Sequence, residues 1–282
     1  MTAVPSGACD CHVHVFDPRF PFAGDRAYTP GEASGEQLDE LHWRLGVSRA
    51  VLVQPSPYGT DNSCLLAQLR LRGERARGVV VVDPASEPPL REWHAAGVRG
   101  ARVNLATFAV QDPEAALVPL RAAAAAIADF GWHLQVFTDL AVVAALADEL
   151  ARLPVPVVFD HFALARAAAG LGQPGFPELT DLLRSGAAYV KLSAPHRIST
   201  ASEHADVAPV VRALVEAAPD RALWGTDWPH TGGRPRTAAN RLTVEPFAKI
   251  DDASALDRLV EWAGPVASRR ILVDNPVALY DF

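Results

Sequence analysis

Short apolar runs rich in β-branched residues recur along the chain, spaced so that each gap has room for a helix. They predict eight strands: Gly7–His14, Arg49–Gln54, Gly78–Asp83, Val98–Asn104, Trp132–Phe137, Val155–His161, Ala187–Ser193 and Ala222–Asp227. Helix-like segments lie between them, at Gly35–Leu45, Cys64–Gly73, Pro113–Phe130, Leu140–Leu153, Glu178–Ser185 and Val207–Ala217. Strands separated by helices of this size build right-handed βαβ units on a parallel sheet. Eight such units close into a (β/α)8 TIM barrel at about 250 residues or more, and this chain has 282. The expected architecture is therefore α/β, one barrel domain over residues 1–282, since no linker divides the chain. The Pro- and Gly-rich stretches Pro18–Gly35, Gly170–Pro177 and Thr231–Thr237 are short and follow strands, as loops on one face of a barrel do. An open doubly wound sheet fits less well, because no Gly-rich phosphate turn follows the first strand.

Composition narrows the partners. With 49% hydrophobic and 21% charged residues the chain can bury a sizeable core. A net charge of -7 argues against a nucleic-acid footprint or an anionic membrane surface, which leaves a small-molecule substrate. No stretch approaches the length of a transmembrane helix. Three cysteines are too few for a disulfide framework, and the first residues lack the basic and apolar regions of a signal peptide, so a cytoplasmic location is expected.

Active sites of such barrels lie at the C-terminal ends of the strands. The first strand ends Asp10-Cys11-His12-Val13-His14, and the two-residue period puts Asp10, His12 and His14 on one face. The sixth ends Asp160-His161, and the eighth ends Asp227-Trp228-Pro229-His230. Each has a bland reading alone, as a polar strand terminus or a turn signal. Their coincidence at three strand ends, in residue types that polarise carbonyls and move protons, favours a catalytic cluster of His12, His14, His161 and Asp227.

At this point a resemblance emerges. The segments Asp10-x-His12-x-His14-x-Phe16-Asp17-Pro18, Asp160-His161, Val190-Lys191-Leu192-Ser193, Trp224-Gly225-Thr226-Asp227-Trp228-Pro229-His230 and Val273-Asp274-Asn275-Pro276 resemble the amidohydrolase superfamily of the amidohydrolase 2 type. The branch they are most similar to contains 2-pyrone-4,6-dicarboxylate hydrolase and related sugar-acid lactonases. The likeness runs from Cys9 to Phe282, and the Trp-Gly-Thr-Asp-Trp-Pro-His string is its most specific element. The resemblance implies hydrolysis of a lactone ring ester, a carboxylic ester hydrolase reaction. Asp227 would act as general base toward water, with His12, His14 and His161 around the carbonyl.

His12, His14, His161 and Asp227 also suit one divalent metal, zinc above all. Against a metal, the fourth strand ends in Arg102 and Asn104 and the fifth carries Gln135, so no required cofactor is expected. For substrate binding, Arg102 and Arg197 offer forks that match a carboxylate. Ser56, Tyr58, Gln135 and Asn104 offer hydroxyl or amide contacts, and His230 stands near the site. Phe108 and Leu164 occupy positions where the resemblance leads one to expect further arginines. A lactone with one carboxylate, or a neutral sugar lactone, is thus favoured over a dicarboxylate. The rivals are a metal-dependent decarboxylase of an aromatic or muconate acid, a lactone isomerase, and a non-catalytic barrel that binds a sugar acid. Hydrophobic loop residues Phe20, Phe22, Tyr28 and Trp228 suggest a lid or a homo-oligomer contact.

Overall fold

A computed structural model, in which residues 4–83 and 86–282 are described, has eight parallel strands in sequence order around one barrel. They are β1 (Cys9–Val13), β2 (Arg49–Val53), β3 (Ala76–Val80), β4 (Val98–Asn104), β5 (His133–Phe137), β6 (Val157–Phe159), β7 (Ala188–Ser193) and β8 (Ala222–Gly225). The eight expected strands all form, most of them a residue or two shorter at their ends. The α/β barrel assignment and its single domain hold.

The outer layer carries α1 (Gly35–Leu45), α2 (Ser63–Arg72), α3 (Leu90–Ala95), α4 (Pro113–Ile127), α5 (Leu140–Ala151), α6 (Phe176–Arg184), α7 (Ala208–Ala217) and α8 (Asp252–Ala263). Local chemistry sets several boundaries. Ser34 and Gln37 form a reciprocal capping box at the start of α1, and Gly46 ends it in the left-handed conformation. Asp112, Asp139 and Asp251 cap α4, α5 and α8 through their carboxylates. Helices α3 and α8 were not among the expected segments. The first is short, and the second follows a polar loop in which no strand marks where a helix belongs. The Val273-Asp274-Asn275-Pro276 motif is structural: Asn275 Nδ2 donates to Pro219 O at 2.9 Å and Ala222 O at 2.7 Å, tying the C-terminal helical turns to β8.

Apolar residues from strands and helices merge into one continuous core between the barrel and its helices. The barrel closes where β8 meets β1. Asp227 N donates to His12 O at 2.9 Å and His14 N to Trp228 O at 2.8 Å, so closure is made by the residues just past the end of β8. Asp10 fastens this seam from below. Its Oδ1 accepts from Thr226 N at 2.9 Å and His12 N at 3.2 Å, while its Oδ2 accepts the Thr226 hydroxyl at 2.6 Å and lies 3.2 Å from His42 Nε2. Gly225 is required at the closest approach: a Cβ there would sit 2.7 Å from both the Cβ and the backbone nitrogen of His12. Gly225→Ala is expected to lower stability by about 1–3 kcal/mol, read from urea unfolding, and to move His12. Unchanged stability would mean that the seam is looser than this packing.

Candidate functional site

Closure brings together the polar ends of β1, β6 and β8. Asp227 Oδ1 lies 3.7 Å from His12 Nε2, 3.8 Å from His14 Nε2 and 3.6 Å from His161 Nε2. His12 Nε2 and His14 Nε2 are 3.3 Å apart. All four side chains are buried. Each imidazole is fixed through its other nitrogen: His14 Nδ1 donates to Val53 O at 2.8 Å, and His161 Nδ1 hydrogen-bonds Ser193 Oγ at 2.8 Å. His12 Nδ1 sits between Asp160 Oδ1, 3.1 Å away, and Lys191 Nζ, 3.3 Å away.

Two of these side chains are aimed by unusual backbone. His161 through Leu164 all take left-handed φ, from 49° to 58°, and Asp227 has φ 66°. Non-glycine residues there cost roughly 1–3 kcal/mol each and cluster at functional sites. The run is held by Ala163 N donating to Asp160 O at 2.9 Å and Ala165 N to Phe162 O at 3.1 Å. By turning sharply at the strand end, both residues direct their side chains inward.

Three cations ring two carboxylates. Arg197 donates to Asp227 Oδ2 at 2.9 and 2.7 Å. Arg102 donates to Asp160 Oδ2 at 3.2 and 3.0 Å. Lys191, fully buried, donates to Gln135 Oε1 at 2.6 Å and lies 3.7 Å from Asp160 Oδ1. Burial alone would raise both carboxylates, but the charge facing them wins and holds both well below the usual range. Burial pushes His12 and His14 down to about 4 and lowers His161 well below the usual imidazole value; Asp160 and Asp227 oppose this without reversing it. Lys191 is lowered by burial to about 8. With the imidazoles neutral near pH 7, the charges that keep Asp160 ionised are Arg102 and Lys191.

The other expected contacts fall less simply. Arg102 and Arg197 both reach the site, but each is engaged by a carboxylate of the protein. Gln135 lies one layer deeper, holding Lys191. Tyr58 departs from expectation: its hydroxyl accepts from Asp17 N at 3.0 Å and donates to Asp17 O at 3.2 Å, and its ring packs on Phe16 and Phe22. Asn104 is bonded to Thr107 through both ends of its amide. Ser56 and Asn104 line a cavity beside the cluster. His230 Nε2 lies 3.1 Å from Asp252 Oδ2, which spends that nitrogen on α8. Asp160, Lys191 and Ser193 were not singled out as site residues, although the Asp-His pair ending β6 and the inward parity of Lys191 and Ser193 carried the signal. The three cysteines are free and buried, and no helix among the described residues is long and apolar enough to cross a membrane.

A family model described as amidohydrolase matches residues 9–282. The chain belongs to the amidohydrolase family. This amidohydrolase is 35% identical to a 2-pyrone-4,6-dicarboxylate hydrolase of Comamonas testosteroni, over 98% of the chain and 91% of the relative. It is 34% identical to a 4-sulfomuconolactone hydrolase of Hydrogenophaga intermedia, over 98% of the chain and 89% of the relative. An apo crystal structure from Agrobacterium tumefaciens matches it with a TM-score of 0.82 at 29% identity, covering 99% of this chain and 97% of that one.

The donor set of the amidohydrolase fits a metal geometrically. A tetrahedral zinc with bonds near 2.0–2.1 Å needs donors about 3.4 Å apart; His12 Nε2, His14 Nε2 and Asp227 Oδ1 approach this as a set of three, 3.3, 3.7 and 3.8 Å apart, and His161 Nε2 lies 3.6 Å from that carboxylate oxygen. The His12, Asp160 and His161 donors also lie within 4.8 Å of one another. The fixed Nδ1 atoms are the anchoring that metal-bound imidazoles require. Charge works in the other direction, since Arg102, Lys191 and Arg197 already outnumber Asp160 and Asp227. NMR titration of the imidazole carbons is expected to find His12 and His14 neutral down to about pH 4. Titration near 6.5 would mean that burial does not control them.

Proposed function

We propose that this amidohydrolase hydrolyses the ring ester of a lactone that carries at most one carboxylate. The observation that carries the proposal is a single carboxylate oxygen, Asp227 Oδ1, facing three imidazole Nε2 atoms at 3.6–3.8 Å. The relatives, named as lactone hydrolases, support the same chemistry.

In this reading Asp227 Oδ1 takes a proton from water as the water oxygen bonds to the lactone carbonyl carbon. The carbonyl oxygen gains the displaced electron pair; His161, with Nδ1 accepting the Ser193 hydroxyl proton, presents a neutral Nε2–H to that charge, whereas neutral His14 carries its proton on Nδ1 and presents a lone pair. Collapse breaks the bond from that carbon to the ring oxygen, which leaves with the proton held on Asp227. The product is an open-chain acid, so one proton is released to solvent above its pKa.

Arg197 sets the strength of the base. Bound to Asp227 Oδ2, it makes the resting carboxylate a weak base, whereas general bases work best with a pKa near the operating pH. A substrate carboxylate that draws Arg197 away would raise Asp227 at the moment water must be activated. Few other charges are available for a second carboxylate, because Arg102 is held by Asp160. A divalent ion, if bound, would be held by His12, His14, His161 and Asp227 and would polarise the carbonyl as a Lewis acid.

Proton release against a panel of sugar-acid and muconate-type lactones tests the reaction, and an isomerase would release none. Asp227→Asn should lose roughly 10²–10⁴-fold in kcat while retaining fold, and the wild-type rate should survive a chelator. Loss of activity on chelation with recovery on added zinc would move the carbonyl polarisation from the imidazoles to an ion. In the pH profile of kcat/KM, the acid limb should fall near pH 4, where His12 and His14 gain protons. The alkaline limb should begin near pH 8, where Lys191 loses one. An acid limb near 6.5 would count against this cluster.

A further inference from the structure

The barrel wall is split beside the catalytic cluster. Pairing of β3 with β4 ends at Val80 and Ala101, whereas β4 continues alongside β5 as far as Asn104 and Phe137. The last residues of β4 therefore have no partner on the β3 side. Beyond this point Asn62, in the loop after β2, holds Val81 on its β2 side: its Oδ1 accepts from Val81 N at 3.0 Å and its Nδ2 donates to Val81 O at 2.9 Å, on the side where Val79 O accepts from Gln54 N. The chain after β3 is drawn aside, and α4 presents only Pro119, Ala122 and Ala123 to the opening. Among the described residues no large side chain fills it, and a cavity of about 310 Å³ remains.

This cavity is chemically two-sided. Its walls are Val81, Val82, Val103 and Phe108, together with the small residues of α4. Its polar side is Gln54, Ser56, Thr60, Arg102 and Asn104. Arg102 is its one charged lining residue among those described, and its guanidinium is engaged by Asp160. Gln54 is fully buried, and its Nε2 donates to Gly59 O and Asp61 O, but its Oε1 has no partner. A buried acceptor left unmatched calls for a donor from a ligand. Two residue-to-residue links join this polar side to the cluster. Val53, the residue before Gln54, holds His14 through its carbonyl, and Asp160, which holds Arg102, lies 3.1 Å from His12.

We propose that this split is a specificity subsite that receives an alkyl or aryl substituent of the lactone, with Gln54 Oε1 accepting a hydroxyl of the ring on its polar side. The inference rests on the lactonase reading and adds to it which substituent the enzyme prefers. A charged substituent would lose its hydration there without a free counter-charge. An apolar one would exchange water for the valine and phenylalanine walls.

The test compares a γ-lactone carboxylate with its phenyl-substituted counterpart, on wild type, Ala122→Phe and Phe108→Ala. Ala122 and Phe108 are both exposed, so neither change should impair folding. In wild type the phenyl group should raise kcat/KM by roughly tenfold or more. Ala122→Phe, which blocks the opening, should abolish the gain, and Phe108→Ala, which strips one wall, should reduce it. Both should change kcat/KM for the unsubstituted lactone far less than for the phenyl one. Equal kcat/KM for the two lactones in wild type, or a gain that survives in both variants, overturns the subsite. If neither lactone is hydrolysed, the lactonase reading fails, and calorimetry with the non-hydrolysable cyclic ethers of the same two compounds decides the subsite alone. Phenyl binding at least about tenfold tighter in wild type and lost in Ala122→Phe upholds it; equal binding overturns it.

Discussion

The seam between β1 and β8 is the constraint on which the rest depends. Its backbone bonds, Asp227 N to His12 O and His14 N to Trp228 O, are made by the residues that carry the candidate chemistry. Closing the barrel and assembling the cluster are thus one event. Asp10 beneath the seam and Gly225 within it have no direct part in the chemistry, yet they fix how closely His12 and Asp227 approach. A parallel barrel suits this arrangement because strand ends far apart in sequence converge only when the last strand returns to the first.

Inside the cluster, burial and charge divide the work. Taking imidazoles out of water keeps them neutral, and neutral imidazoles leave Asp227 dependent on Arg197 for compensation. Arg102 and Lys191 do the same for Asp160, which in turn orients His12. Three positive charges therefore face two negative ones around a buried centre. That surplus favours an anionic ligand or a developing oxyanion over an additional cation. The same balance explains why the arginines seen in the sequence are not free forks awaiting substrate.

Much of the fold was legible because its signal is local. Apolar runs marked all eight strands, and caps such as Ser34 with Gln37 and Asp139 fixed helix starts. The candidate cluster was legible because strand parity and strand ends place His12, His14, His161 and Asp227 without knowledge of any partner. The partners themselves were not. The Arg102–Asp160 pair spans 58 positions and the Arg197–Asp227 pair 30, and which cation meets which carboxylate depends on how the barrel layers stack. Tyr58 misled for the same reason, since its hydroxyl is captured by a backbone more than forty positions earlier. The left-handed run from His161 to Leu164 contains no glycine, so nothing in its sequence announces it.

The split between β3 and β4 belongs to a different scale. Pairing stops at Val80 and Ala101, and the wall opens where α4 carries alanine and proline. The closed seam and the open split lie on the two sides of β2, whose last residue and the one after it, Val53 and Gln54, touch both: Val53 O fixes His14, and Gln54 borders the cavity. The chain thus separates the half that holds the candidate cluster from a half in which space has been left. Variation of the residues lining the split can change what is bound without reaching the seam. A barrel of this kind can retain one set of catalytic side chains while its loops and wall residues choose among ring substituents.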